Sequence, residues 1–181
     1  YSEHFVKLYW ELSYSQTEIS SGPEPVLPDG CVEIIFDFRD RFVTYLSGDV
    51  TQIQPRSIVA GQLTSRLMIG PSGDTDIFGV RLRSESAFSL LGVSMAEIRD
   101  QIVDLHDVLG AIENELFEKL AAANGFDGRI AAFEKYLFAL DARPASAELT
   151  ECVSILRSTK GAKQIAHCAA HLRWSERRLE R

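Results

Sequence analysis

The feature that most constrains this chain is a change of period near Gly92. Before it, short apolar runs alternate with polar residues and are cut by Gly and Pro. In the clearest run, Val32, Ile34, Phe36 and Phe38 share one face, and Glu33, Ile35 and Asp37 share the other. A period of two is the period of a strand. Arg39-Asp40 interrupts the run and residues 42–46 resume it, which predicts a hairpin. Further runs lie at 57–60, 66–69 and 77–82. Turn signals separate them: Gly22-Pro23, Pro28-Asp29-Gly30, Gly48, Gly61, Gly70-Pro71 and Gly73. Several short strands spaced by turns predict a sandwich or a barrel.

Beyond Gly92 the spacing becomes helical. Ser94-Met95-Ala96-Glu97 has the S-x-x-E form of a capping box and predicts a helix entering at Ile98. Residues 111–123, rich in Ala, Leu and Glu, predict a helix that stops at Asn124-Gly125. Asp127 is placed to cap the next one. There Ile130, Phe133, Leu137 and Leu140 form one apolar stripe, suited either to an intramolecular core or to a dimer seam. Arg143-Pro144 ends that helix, and Ser146 can cap another reaching about Ser158. The fold class expected is therefore α+β. A β-rich domain at 1–93 precedes a helical linker at 94–142 and a helical module from 146 to 181.

Charge is divided unevenly. The chain of 181 residues carries a net −7. From Arg157 to Arg181 there are seven Lys/Arg against two acids, so that end is +5 and the remainder −12. An acidic body with a basic end suggests a polyanionic partner for that end, although a solvated basic tail fits the count equally. No run approaches the roughly 20 apolar residues of a membrane span, so no membrane partner is expected. No secretory leader is visible, and the chain opens on Tyr1 rather than Met. Cys31, Cys152 and Cys168 are sparse and odd in number, which favours free thiols and a cytoplasmic location.

The last twenty residues are the most informative. Ile165, Ala169 and Leu172 share one helical face. Arg173-Trp174 follows, then Ser175, a good N-cap, with Glu176 suited to the positive end of the next helix. Helix, tight turn and capped helix make the pattern of a helix-turn-helix, whose second helix enters the major groove. Arg177 and Arg181 project from one face of that second helix, and arginine is the side chain best suited to guanine O6 and N7.

The run Ile165-Ala166-x-x-Ala169-x-x-Leu172-x-x-Ser175-x-x-x-Leu179-x-Arg181 resembles the first helix-turn-helix of AraC/XylS transcription regulators. Other segments resemble the N-terminal sensor domain of one branch of that family: Tyr9-Trp10, Leu27-Pro28-Asp29-Gly30-Cys31, Ala60-Gly61-Gln62, Gly79-Val80-Arg81-Leu82-Arg83, Leu90-Leu91-Gly92-Val93 and Val103-Asp104-Leu105. The resemblance implies a cupin-like β-barrel or sandwich that senses an effector or dimerises, a helical linker, and two helix-turn-helix units, of which this chain holds only the start. Its implied DNA-binding residues are Ser175, which caps the helix near a phosphate, together with Arg177, Arg178, Glu180 and Arg181, with Leu179 in the core. The turn position often held by Gly in the family is Arg173 here, a position favouring positive φ. The implied partners are double-stranded DNA for the full-length protein, a small-molecule effector, and a second copy of the chain.

No catalytic constellation emerges, so no enzyme, cofactor or metal is expected. His167 and His171 have metal-binding spacing, but Cys168 stands where an H-E-x-x-H motif has Glu. They read instead as structural or phosphate-facing residues. The β-rich half has no histidine after His4, which argues against an imidazole-ligated metal there. The loop at 70–74 lacks the Lys of a phosphate-binding loop. Asp29 reads as a turn residue. Glu33, Gln62 and Arg81 are the expected ligand-contacting residues if the polar strand faces open into a barrel mouth. If those faces meet water, the more usual arrangement for a one-sided sheet, they are ordinary surface groups. The alternative to a regulator is a stand-alone cupin-like small-molecule-binding protein or enzyme with a basic helical tail.

Overall fold

The computed structural model describes residues 1–15, 22–46 and 50–175. The chain divides into two compact units, Tyr1–Ala142 and Arg143–Arg181.

The first unit is α+β with two antiparallel sheets. Its strands are β1 (Val6–Tyr14), β2 (Glu24–Val26), β3 (Glu33–Asp37), β4 (Phe42–Tyr45), β5 (Thr51–Ile53), β6 (Ser57–Ala60), β7 (Leu67–Pro71), β8 (Thr75–Leu82) and β9 (Ile102–Asp104). Its helices are α1 (Ala87–Leu91), α2 (Leu105–Leu109), α3 (Ile112–Ala121) and α4 (Gly125–Ala139). One sheet runs β1-β8-β3-β6-β9 and the other β2-β7-β4-β5. Among the described residues the sheets do not close into a barrel.

The alternation in β3 decides the layering. Ile34 and Phe36 point to one side, where they join Phe78, Val80, Val59 and Leu82 in the main core. α3 and α4 cover that side. Leu116, Leu120, Phe133 and Leu137 are all at 2 % exposure or less. Phe133 lies edge-on to Phe36 and Phe78, at 6.3 Å from each. Burying a side chain of this size contributes about 1.5–3 kcal/mol. The stripe of α4 is thus an intramolecular core: Phe133 and Leu137 are fully covered, and Ile130 and Leu140 pack against them.

The residues between these, Ile35 and Asp37 on β3 and Ile77 on β8, point to the other side and face the second sheet. Register confirms the rows. Trp10 pairs with Gly79, which pairs with Ile35, which pairs with Ile58. Leu12, Ile77 and Asp37 form the next row.

Three local expectations are corrected. Residues 42–45 do not form a hairpin with β3. The chain crosses at Arg39-Asp40 to the second sheet, where β4 pairs with β5 and β7. The crossing is held by strands distant in sequence: Phe38 N–H donates to Asp76 O and Asp40 N–H to Asp74 O. The capping-box segment at 94–97 starts no helix. Ser94 Oγ accepts from Ala96 N–H in a turn, and the chain then adds β9 to the edge of the first sheet beside β6. Within 94–142, helix is confined to α2, α3 and α4. Finally, Asp127 does not cap α4, because Asn124 occupies that position and Asp127 lies within the first turn.

The second unit holds α5 (Ala147–Ser158) and α6 (Ile165–His171). Ser146 caps α5 as its sequence predicts, its Oγ accepting from Leu149 N–H at 3.3 Å. Cys152 of α5 and Cys168 and Ala169 of α6 are buried. The three cysteines are free thiols.

No described helix is long and apolar enough to cross a membrane.

Candidate functional site

Glu33, Gln62 and Arg81 come together at one end of the first sheet. Glu33 and Arg81 are cross-strand neighbours. Arg81 Nε donates to Glu33 Oε1 at 2.6 Å, and its Nη1 lies 2.9 Å from Asp29 Oδ2. Asp29 also accepts from Cys31 N–H, closing the turn in which Gly30 takes φ +69°. Gln62 Nε2 donates to Gly30 O at 2.9 Å. The segments Leu27-Pro28-Asp29-Gly30-Cys31, Ala60-Gly61-Gln62 and Gly79-Val80-Arg81 therefore meet at one point. The guanidinium is engaged by two carboxylates from within the chain, so the cluster pins the 27–31 turn to the sheet.

A more receptive place lies between the two sheets. A cavity of about 100 Å³ is lined from the first sheet by Trp10, Leu12, Ile35, Asp37, Ile58 and Ile77, and from the second by Phe42 and Ile69. Gln54 and Pro55 form a shared wall with a neighbouring cleft of about 250 Å³, which Thr44, Leu67 and Gln101 also line. Gln54 is oriented by donating Nε2–H to Thr44 Oγ1 at 3.0 Å. The indole of Trp10 lies flat over Gly79, where a Cβ would come within 2.0 Å of the ring. Glycine at that position gives the cavity its aromatic wall.

Asp37 is the ionisable group of interest in this wall. It is 7 % exposed. Arg39 N–H donates to its Oδ1 at 3.3 Å. Burial pushes its carboxyl up to about 6, opposed by the backbone N–H groups of Arg39 and Phe42 and reinforced by the charges of Asp40 and Asp76. Sequence reading passed over it, because a polar residue in an alternating strand reads as solvent-facing. Its signal was a carboxylate on the same face as Ile35.

A larger groove of about 530 Å³ lies on α3 and α4, lined by Ile112, Leu116, Tyr136 and Leu140 with Glu115, Lys119 and Lys135. It is open and apolar, without the converging polar groups of a ligand pocket.

In the second unit, α6 is followed by a tight turn. Arg173 takes φ +55° and Trp174 N–H donates back to Ala169 O. Ser175 is exposed. Arg177, Arg178, Glu180 and Arg181, together with Leu179, lie outside the described residues. His167 and His171 are on the exposed side of α6, and His171 Nε2 pairs with Glu151 Oε1 at 2.9 Å. Among the described residues no three His, Cys, Asp or Glu side chains are grouped to hold a metal ion.

A family model described as Domain of unknown function (DUF6597) matches residues 3–104. The chain belongs to that family. The DUF6597 match takes in all nine strands of the described residues and ends on the last residue of β9. Within the DUF6597 region lie both the Asp29/Glu33/Arg81 cluster and the residues that line the inter-sheet cavity. No curated protein matches the chain.

Proposed function

We propose that this chain is the sensor part, with the beginning of the DNA-binding part, of an AraC/XylS-type transcription regulator. The two-sheet body is a cupin-like sensor, and the basic second unit opens the first of two helix-turn-helix elements. The observation that carries this reading is the turn after α6. Arg173 adopts the left-handed conformation at the position where the family resemblance calls for Gly, and Ser175 follows as the expected N-cap. A non-Gly residue pays a modest conformational cost there, which a packed helix-turn-helix offsets. In this reading Arg177, Glu180 and Arg181 meet base edges and Ser175 meets a phosphate. The small-molecule effector occupies the inter-sheet cavity, control passes to the DNA-binding part, and the protein acts in the cytoplasm as a homodimer without catalysis.

The test is a selection from random duplex DNA by the gene product continued beyond Arg181. A defined operator should emerge, and Arg181→Ala should weaken it by about 1–3 kcal/mol, the usual worth of a bidentate base contact. No enriched sequence, or equal binding by wild type and variant at every salt concentration, would refute the reading and favour a stand-alone small-molecule-binding protein.

A further inference from the structure

The inter-sheet cavity has a one-sided electrostatic character. Apart from Asp37, Gln54 and Arg56 its walls are apolar, built from Trp10, Ile35, Phe42, Ile58 and Ile77 among others. Arg56 is the one cationic residue in that lining, and its head group is turned away. Its Nη2 donates to Asn114 Oδ1 at 2.7 Å, its Nε lies 3.5 Å from Glu113 Oε1, and its guanidinium carbon sits 4.1 Å from the centre of the Phe117 ring. Only the stem of Arg56 is left to the cavity. Of the other arginines nearby, Arg129 is held by Asp76 at 2.7 Å, and the exposed Arg39 lies 3.7 Å from Asp74. The negative charges of Asp40 and Asp76 add to the effect of burial on Asp37.

A buried carboxylate without a counter-charge is costly, and a bound cation relieves that cost. An indole face adds attraction for the same kind of group. An anion would meet Asp37 and find no donor charge. We infer that the inter-sheet cavity binds a small organic cation, an aliphatic amine whose ammonium group lies at Asp37 and whose hydrocarbon part fills the space toward Trp10 and the adjoining cleft. This deepens the sensor reading and rests on it for the ligand's regulatory meaning, while the binding itself stands alone. The size limits the class: an apolar cavity near 150 Å³ holds about a benzene-sized molecule, so the inner chamber takes a short chain and a longer one must extend past Gln54.

The probes are butylammonium, 1-butanol and butyrate, equal in length and different in charge. Binding to the 181-residue chain is followed by thermal shift and by tryptophan emission. Butylammonium should bind most tightly and butyrate least. Asp37→Asn is nearly isosteric and still accepts from the Arg39 N–H. It should weaken butylammonium about tenfold or more, the worth of one charge-assisted hydrogen bond, and leave 1-butanol unchanged. Trp10→Phe should weaken butylammonium more than 1-butanol. If Asp37→Asn does not fold, the order of the three probes on wild type decides. Equal binding of amine and alcohol, a preference for amine that survives in Asp37→Asn, or no binding by any probe would overturn the inference. The operator selection is independent of it. Amine binding without an operator removes the regulator reading only, and an operator without amine preference removes this inference only.

Discussion

Arg129 of α4 holds Asp76 of β8 with both arms of its guanidinium, Nη1 to Oδ1 at 2.7 Å and Nη2 to Oδ2 at 2.8 Å. The same guanidinium lies 4.1 Å from the centre of the Phe38 ring. The pair joins the helix layer to the start of β8 in the first sheet, next to the point where the chain crosses between sheets.

Removing one member leaves the other partly buried without its counter-charge. Arg129→Met should cost about 2–4 kcal/mol, somewhat less than for a fully buried pair because the Asp76 side chain keeps 26 % exposure. The double variant with Asp76→Asn should recover part of the loss in urea unfolding. A single-variant loss under about 0.5 kcal/mol would place the pair with ordinary surface ion pairs. The hydrogen bonds from Arg129 hold the Asp76 carboxyl below its usual range. Its contribution is therefore present at neutral pH and fades as pH falls through that lowered value.

Asp37 should behave in the opposite sense. Its carboxyl is raised to about 6, so the folded state binds the proton more tightly than the unfolded state. Its contribution to stability is fullest below the ordinary aspartate range and is lost as pH rises through about 6. Asp37→Asn should thus gain on wild type between pH 4 and 7, by on the order of 1–2 kcal/mol. A difference between the two proteins that stays flat over that interval would contradict this.

Two glycines should differ in their tolerance of a methyl group. A Cβ at Gly61 would lie 1.7 Å from the backbone oxygen of Ile98, which the 98–101 turn holds in place. At Gly79 it would meet the Trp10 ring, which can swing aside. Gly61→Ala should cost about 3 kcal/mol or more and Gly79→Ala about 1–3 kcal/mol. Only Gly79→Ala should change the emission of Trp10 strongly. The reverse order of losses would mean that the 98–101 turn yields more readily than the indole.

Ser146→Ala should cost the second unit about 1 kcal/mol through loss of the cap on Leu149 N–H. Amide exchange at the start of α5 would register it, with faster exchange at Leu149 than in wild type. Unchanged exchange there would show that the cap contributes nothing.

What could be read in the chain beforehand follows from what is local. The faces of β3, the stripe of α4 and the cap of α5 each depend on a few adjacent residues, whereas α3 stops at Ala121, short of Asn124-Gly125, which instead open α4. The β3–β4 crossing was not legible, because Asp76 and Asp74, distant in sequence, hold it. β9 has only three residues, and nothing marks them as a strand until β6 pairs with them. The five-residue α1 is too short to establish a period. Ser94-Met95-Ala96-Glu97 carries a helix-start signal that tertiary pairing overrides. At the candidate site, Glu33, Gln62 and Arg81 stood out as polar residues beside resemblance motifs, and the fold does gather them. Asp37 stayed hidden because its meaning depends on a second sheet lying over it.

The family match stops where β9 stops, yet the faces of Phe36 and Phe78 are covered by Leu116, Phe133 and Leu137 from beyond that point. A fragment limited to residues 3–104 would hold every described strand and still lack α3 and α4. It should aggregate or bind hydrophobic dyes when expressed alone, whereas a fragment ending at residue 142 should not. The stretch by which this family is recognised is shorter than the stretch that covers the core face of its sheet.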